Sequence, residues 1–249
     1  MTNSINRLYL LPYGGGSASS FRSYIQKISG NFEQVVPLEL AGRGARRFEA
    51  QAETIQECAQ QALQQIDYSD GDYVLHGHCM GALLAFEAVK LLQEQGAQLP
   101  LFMVVSGRNA PRHANDWLRR VAPMDDQELF SELRTLGAVP KGLNFAMGQS
   151  FLSKIRGDHA MFSNYTPGDT RIAIPVLALA GKNDMMTNPD GLADWQDYCS
   201  SQVSVKWLEG AHYFILEQPA TVAQIISDFN ATLNAHASSK LLNAGSRRA

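Results

Sequence analysis

The sequence has few cysteines, no long apolar run and no excess of charge of one sign. Its 249 residues include 3 Cys, and 21 Lys+Arg stand against 24 Asp+Glu for a net charge of −3. The near balance of charge argues against a dedicated binder of nucleic acid or of anionic membranes. No apolar stretch approaches the roughly 20 residues of a membrane span. The sparse cysteines and the lack of a signal-peptide pattern predict a cytoplasmic protein with free thiols.

Short apolar segments alternate with segments of helical period along most of the chain. Six strands are predicted, at residues 8–11, 35–40, 73–76, 101–106, 176–180 and 203–208. Helices are predicted from about residue 20, at 54–66, 82–95 and 189–199, and around 222–233. The alternation indicates an α/β fold with a mostly parallel sheet and helices on both faces. The length suits one domain, which we assign to residues 1–237.

The alternation stops between about residues 111 and 168, where no strand is predicted. Asp125 or Asp126 is placed to cap a helix that ends at Gly137, and a second helix follows. We interpret this block as a helical lid inserted into the sheet. Residues 238–249 lack an apolar face and are predicted to form a disordered tail.

A cysteine stands at the centre of a Gly-x-Cys-x-Gly sequence between a predicted strand and a predicted helix. The five residues are Gly77, His78, Cys79, Met80 and Gly81. This pattern matches the nucleophile elbow of α/β hydrolases, in which serine is the usual central residue. The partial positive charge of the helix N-terminus favours a thiolate there. The pattern predicts that Cys79 is the nucleophile; the alternative is a structural cysteine in a tight turn.

A nucleophile elbow needs an acid and a histidine, which follow it in that order in this fold. Asp184 comes directly after the fifth predicted strand, and His212 comes directly after the sixth. The carboxyl ends of parallel strands meet at one edge of the sheet, so both side chains are expected near Cys79. Asp190 and Asp194 are weaker candidates for the acid because they fall in the next predicted helix. A turn-forming aspartate and a structural histidine are the alternatives.

Backbone N–H groups that stabilise negative charge on a carbonyl oxygen would form the third part of the site. One donor is predicted to be the N–H of Met80, the residue after the nucleophile. The other is predicted in the glycine run after the first strand, with Gly14 as the first choice and Gly15 as the alternative. No Lys-Ser or Lys-Thr pair follows these glycines, so the loop suits a carbonyl oxygen rather than a phosphate. A flexible turn is the other interpretation.

Structural roles are predicted for the other histidines and cysteines near these segments. His76 and His78 are expected to pack against the sheet, and Cys58 and Cys199 to be core thiols. The two histidines lack a metal-ligand spacing, and no cofactor is expected. Two groups of arginines are predicted to be solvated or, alternatively, to dock an acidic partner: Arg43, Arg46, Arg47, Arg108, Arg112, Arg119 and Arg120.

Six segments together resemble type II thioesterases, the stand-alone editing enzymes of nonribosomal peptide and polyketide synthases. They are residues 11–17, 42–44, 77–82, 105–111, 133–137 and 210–212. The resemblance implies an α/β-hydrolase fold with an inserted helical lid. It implies hydrolysis of acyl or aminoacyl thioesters on the phosphopantetheine of an acyl or peptidyl carrier protein. It also implies a Ser-Asp-His triad, which falls here on Cys79, Asp184 and His212, and an acidic carrier domain as partner.

Two departures from the family pattern bear on function. Tyr13 and Gly14 stand where the family usually has His and Ala, and Cys79 stands where it has Ser. A cysteine acyl-enzyme is itself a thioester and stays activated, so an acyltransferase or a cyclising release enzyme is the alternative to a hydrolase. A third hypothesis is a carrier-binding or interaction protein without catalytic activity. We expect His212 to act as a base near neutral pH, with activity falling as it is protonated.

Overall fold

The computed structural model describes residues 5–68, 72–113, 116–139 and 141–245. A six-stranded sheet with every neighbouring pair parallel runs through the molecule in the order β2-β1-β3-β4-β5-β6. Its strands are β1 (Arg7–Leu11), β2 (Gln34–Pro37), β3 (Tyr73–His78), β4 (Met103–Ser106), β5 (Val176–Gly181) and β6 (Val203–Leu208). The predicted parallel sheet is thus confirmed.

Nine α-helices surround the sheet in the part of the chain that the structure describes. They are α1 (Arg22–Ile28), α2 (Ile55–Leu63), α3 (Met80–Glu94), α4 (Asp116–Val121), α5 (Asp126–Leu136), α6 (Gln149–Ser163), α7 (Pro189–Ala193), α8 (Phe214–Glu217) and α9 (Pro219–Gly245). Thr54 caps α2 by accepting the N–H of Glu57 at 3.1 Å. Asp125 caps α5, which ends at Gly137 in the left-handed conformation, as the sequence predicts.

The helices cover both faces of the sheet, and the strand period of two divides the core accordingly. Leu8 and Leu10 of β1 pack in the cluster that contains α1 and α9. Tyr9 and Leu11 pack in the opposite cluster, with α2 and α3. Burial of each large apolar side chain contributes about 1.5–3 kcal/mol. The uninterrupted apolar strands are therefore explained by burial on both faces.

The chain between β4 and β5 forms three helices, α4 to α6, and no strand among its described residues. These helices have an apolar cluster of their own, which includes Trp117, Leu129, Leu133 and Ile155. The same helices supply side chains to the cavity above the sheet's carboxyl edge. This arrangement places a helical lid over the strand ends.

Two elements differ from the prediction. Helix α9 continues to Gly245, so the prediction of a disordered tail is wrong for residues 238–245; residues 246–249 lie outside the described part. Adding a residue to an existing helix is cheap, and Ser238 bonds back to the Asn234 carbonyl at 2.9 Å, so this polar segment needs no apolar face. The helix predicted at 189–199 divides into α7 and a 3-10 helix, Asp194–Tyr198.

None of the helices described is both long and apolar enough to cross a membrane.

Candidate active site

Cys79 occupies the tight turn between β3 and α3. It has φ 52° and ψ −109° and is the only non-glycine residue with positive φ in the described part of the chain. A Cβ on Gly77 would lie 2.0 Å from the Gly81 carbonyl oxygen, and one on Gly81 would lie 2.1 Å from that of Leu11. Glycine is required on both sides because β3, α3 and β1 approach so closely here. The strained turn holds the Cys79 side chain at the carboxyl edge of the sheet.

His212 and Asp184 lie beside this turn. The Nδ1 atom of His212 is 3.1 and 3.0 Å from the two carboxylate oxygens of Asp184, and both side chains are buried. The Cys79 and His212 side chains line the same small cavity and interact electrostatically. Of the weaker candidates for the acid, Asp190 is exposed on α7, and Asp194 pairs with Arg112 and His113. The structure therefore brings together the three residues singled out from the sequence.

The charges of the Cys79–His212 pair stabilise each other. Burial opposes ionisation of Cys79, but the charge of His212, its hydrogen bond and the charge of Arg108 outweigh burial and lower the pKa of the thiol below 9.0. Burial also opposes a charged His212, but the Cys79 thiolate and the hydrogen bond to Asp184 raise the pKa of the imidazole above 6.5. Both shifts favour a thiolate beside an imidazolium.

The two expected oxyanion donors face the same site. Met80 is the first residue of α3, so its N–H has no partner within the helix. Gly14 lines the cavity that contains Cys79 and His212, and its N–H has no hydrogen-bond partner among the described residues. The N–H of Gly15, by contrast, donates to the Asp158 carboxylate at 2.6 Å. Gly14 therefore remains the first candidate for the donor in this loop.

Asp158, on lid helix α6, was not found from the sequence. Its carboxylate is fully buried and accepts two hydrogen bonds from Arg43, at 2.6 and 3.1 Å, besides the bond from Gly15. Arg43 also donates to the Gly16 carbonyl at 2.9 Å. The prediction of a solvated Arg43 is therefore wrong: burial is tolerated because a carboxylate neutralises the guanidinium.

Among the other arginines of the two predicted groups, one is buried and three pair with carboxylates. Arg108 is buried, with 6% of its surface exposed, so the prediction of a solvated face is wrong there too. Three others pair with neighbouring carboxylates: Arg46 with Glu49, Arg112 with Asp194 and Asp197, and Arg120 with Glu132. Arg47 lies over the ring of Phe48. Much of the positive charge considered for docking is already compensated within the chain.

His76 and His78 form a neutral pair beneath the site. Both rings bond to the Ser106 hydroxyl, at 2.9 and 3.0 Å, and burial lowers the pKa of both. The His78 ring centroid lies 5.0 Å from that of His212. These histidines are buried as expected, and they support the His212 ring without adding charge. Cys58 and Cys199 are buried free thiols, and burial raises the pKa of each.

A small cavity lies between the lid and the nucleophile. Its volume is about 30 Å³, and its lining includes Gly14, Cys79, Trp117, Leu133 and His212. That volume is close to the share of one water molecule in the liquid. The cavity as it stands is therefore too small to enclose an acyl group. Among the described residues, no group of three His, Cys, Asp or Glu side chains is arranged to hold a metal ion.

Three features define an α/β hydrolase. The sheet is parallel, Cys79 occupies the nucleophile position on a strained strand–helix turn, and Asp184 and His212 follow the last two strands. The family model of the thioesterase domain matches residues 6–232, and the chain belongs to that family.

Similar proteins come from synthase pathways. Thioesterase PikA5 of Streptomyces venezuelae is 29% identical over 231 residues, which span 91% of this chain and 81% of that protein. The gramicidin S biosynthesis protein GrsT of Aneurinibacillus migulanus is 28% identical over 85% of this chain and 83% of its own. The crystal structure of ClbQ from the colibactin pathway superposes with a TM-score of 0.82 at 25% identity, covering 93% of this chain and 99% of that one.

The type II thioesterase BorB from the borrelidin cluster superposes with a TM-score of 0.75 at 28% identity, covering 91% of this chain and 93% of that one. These structures confirm the predicted α/β-hydrolase fold class.

Proposed function

We propose that this protein is a type II thioesterase that removes acyl or aminoacyl groups from the phosphopantetheine arm of carrier domains. The observation that carries the proposal is the contact of the Cys79 thiol with a histidine that Asp184 orients. The family match and the relatives from gramicidin S and colibactin pathways support a role beside a synthase. The carrier domain supplies the phosphopantetheine, so the protein needs no cofactor of its own.

In the acylation step, the Cys79 thiolate attacks the carbonyl carbon of the carrier thioester. The N–H groups of Gly14 and Met80 donate to the oxygen as it becomes negative. When the bond to the arm sulfur breaks, the His212 imidazolium gives its proton to that sulfur, and the arm leaves as a free thiol. The products are an acyl-Cys79 thioester and a neutral His212.

In the deacylation step, His212 accepts a proton from water, and the resulting hydroxide attacks the acyl carbon. The bond to the Cys79 sulfur then breaks and the carboxylic acid leaves. The thiolate and the imidazolium are restored. Asp184 holds the imidazole in one tautomer throughout, because it accepts from Nδ1 and leaves Nε2 to face the sulfur.

The sulfur nucleophile also supports a second candidate function, acyl transfer or cyclising release. Exchange of one thioester for another is nearly balanced in energy, so the acyl group on Cys79 remains reactive towards an amine, an alcohol or a thiol. Hydrolysis remains the proposal that the family match supports.

The test is to mix the protein with acyl-loaded carrier protein and follow both intact masses, with and without an amine acceptor. A thioesterase removes the acyl mass from the carrier, adds it transiently to Cys79 and releases free acid. Product diverted to the amine at low acceptor concentration supports the transferase instead. A carrier that keeps its acyl group, with no adduct on Cys79, contradicts both functions. The Cys79→Ala variant is the control for uncatalysed loss.

A further inference from the structure

A second cavity lies against the catalytic one. Its volume is about 620 Å³, and it shares Leu118 and Phe162 with the small cavity around Cys79. Arg108 forms part of its wall. These two shared side chains are apolar and belong to the lid helices α4 and α6.

Arg108 is a buried cation whose charge acts on the Cys79 thiolate. Its Nε is buried with no hydrogen-bond partner, and no carboxylate pairs with its guanidinium within the described residues. Arg43 is buried to a similar extent, yet it forms a bidentate pair with Asp158. Acylation of Cys79 removes the thiolate, and the buried guanidinium is then left without a negative charge, which a carboxylate of the acyl group could supply.

The geometry around Arg108 suits a carboxylate. Its guanidinium carbon lies 5.2 Å from the ring centroid of Phe162, which covers one face of the group. The N–H donors of a guanidinium lie in its plane, so they remain available at its edge for two parallel hydrogen bonds. Arg112 and Arg119 also line the cavity, although Arg112 is already paired with Asp194 and Asp197.

The backbone fixes Arg108 close to the nucleophile. The N–H of Cys79 donates to the Ser106 carbonyl at 2.8 Å, and Arg108 follows Ser106 by two residues. A group bound to Arg108 must therefore belong to a part of the substrate near the reacting carbonyl. The phosphate of the carrier arm is separated from the thioester by two amide units and a branched alcohol, whereas the far end of a short acyl chain is close.

On the basis of the proposed thioesterase function, we propose that Arg108 and the cavity it lines bind the terminal carboxylate of a short dicarboxylic acyl group. The enzyme would then select carrier thioesters whose acyl chain ends in a carboxylate over uncharged chains of equal length. No covalent step is added to the mechanism.

The test compares succinyl with butyryl thioesters, which have equal chain length, on both N-acetylcysteamine and carrier protein. Wild type is expected to prefer succinyl by about ten- to hundredfold in kcat/KM, the range of a charge-assisted hydrogen bond. Arg108→Gln should lower that ratio towards one on both thiols. The ratio, rather than either rate, is the readout, because the charge of Arg108 also acts on Cys79.

Arg120→Gln, a lid arginine outside the cavity and paired with Glu132, is the control and should keep the wild-type ratio. A second readout uses free succinate, which should slow alkylation of Cys79 by iodoacetamide in wild type more than butyrate does, and should lose that difference in Arg108→Gln.

An unchanged succinyl-to-butyryl ratio in Arg108→Gln overturns the inference. The inference is also overturned if Arg108→Gln slows hydrolysis of both acyl groups on carrier protein but of neither on N-acetylcysteamine. That result would assign Arg108 to the phosphate of the carrier arm. If wild type hydrolyses none of the four thioesters, the proposed function itself fails, and this result is distinct from hydrolysis without acyl preference.

Discussion

Asp158 of the lid accepts the backbone N–H of Gly15 at 2.6 Å, so a lid side chain holds the loop that carries the expected oxyanion donor. Gln51 donates a hydrogen bond to the same carboxylate at 3.0 Å. Arg43 donates both to this carboxylate and to the Gly16 carbonyl, so it links the two. Docking of α6 onto the sheet thereby fixes the backbone beside Gly14. Lid position and the oxyanion site are coupled through one buried carboxylate.

Asp158→Asn should slow acylation of Cys79 by thioesters about ten- to hundredfold, within the range for disturbing one oxyanion donor. Alkylation by iodoacetamide forms no oxyanion, so its rate at the same residue should change little. The two rates are measured on the same samples by intact mass.

Glu87→Gln is the control for Asp158→Asn, since Glu87 is a buried carboxylate paired with Lys90 away from the glycine loop. It should leave the ratio of acylation to alkylation at the wild-type value. An Asp158→Asn variant that slows both reactions equally would contradict a specific effect on the oxyanion site.

Arg43→Gln and Arg108→Gln should differ in stability although both remove a buried arginine. Breaking the Arg43–Asp158 pair leaves a buried carboxylate uncompensated and should cost about 3–5 kcal/mol. Arg108 has no carboxylate partner among the described residues, so its removal should cost less than the removal of Arg43. Urea unfolding monitored by fluorescence measures both; equal destabilisation of the two variants would contradict this difference.

The pH dependence of Cys79 reactivity should report an ion pair. The pKa of Cys79 is lowered, so its alkylation should rise with pH through a midpoint below the ordinary thiol value of 9.0. The pKa of His212 is raised, so the imidazolium persists above 6.5 and is lost only at more alkaline pH, where acylation should decline. The two groups titrate as a coupled pair.

We therefore expect the acid limb of the acylation rate to reflect protonation of the Cys79 thiolate, whereas deacylation needs neutral His212, the base that the sequence predicts. His212→Ala removes the positive charge and should move the alkylation midpoint upwards. A wild-type midpoint equal to that of His212→Ala would contradict the ion pair. Alkylation rates between pH 5 and pH 10, a range chosen to span both ordinary pKa values, provide the measurement.

Cys79→Ser tests what the sulfur contributes. A serine hydroxyl does not ionise in this range, so the variant should lose the thiolate-dependent alkylation and form an oxyester acyl-enzyme. The oxyester is less reactive towards amines and thiols, and the share of product diverted to an added acceptor should fall. Product analysis with a competing thiol measures that share. An unchanged share would indicate that the nature of the acyl-enzyme does not decide the acceptor.

Local sequence patterns are sufficient to predict that Cys79, Asp184 and His212 lie close together. Glycines at 77 and 81 are required by backbone contacts within a few residues of the turn, so their spacing is visible in the chain. Asp184 and His212 follow consecutive strands, and parallel pairing of β5 with β6 brings the ends of those strands together. The alternation of strands and helices and the residues of the turns are therefore enough to predict most of the fold and to single out Cys79, Asp184 and His212.

The buried charges could not be predicted in this way. Asp158 lies on an amphipathic lid helix and is separated by 115 residues from Arg43, its partner. The spacing of these residues does not distinguish a buried pair from two solvated charges. The pair is buried because lid helix α6 packs against the loop that contains Arg43. The sequence groups Arg108 with Arg112, Arg119 and Arg120, but Arg112 is exposed whereas Arg108 is buried.

The most direct test of the central claim is intact-mass analysis of wild type after brief exposure to acyl-loaded carrier protein, followed by peptide mapping. The account predicts one added acyl group on the Cys79 sulfur, a matching loss from the carrier, and no adduct in Cys79→Ala. An acyl group found on another residue, or carrier turnover by Cys79→Ala at the wild-type rate, would contradict it.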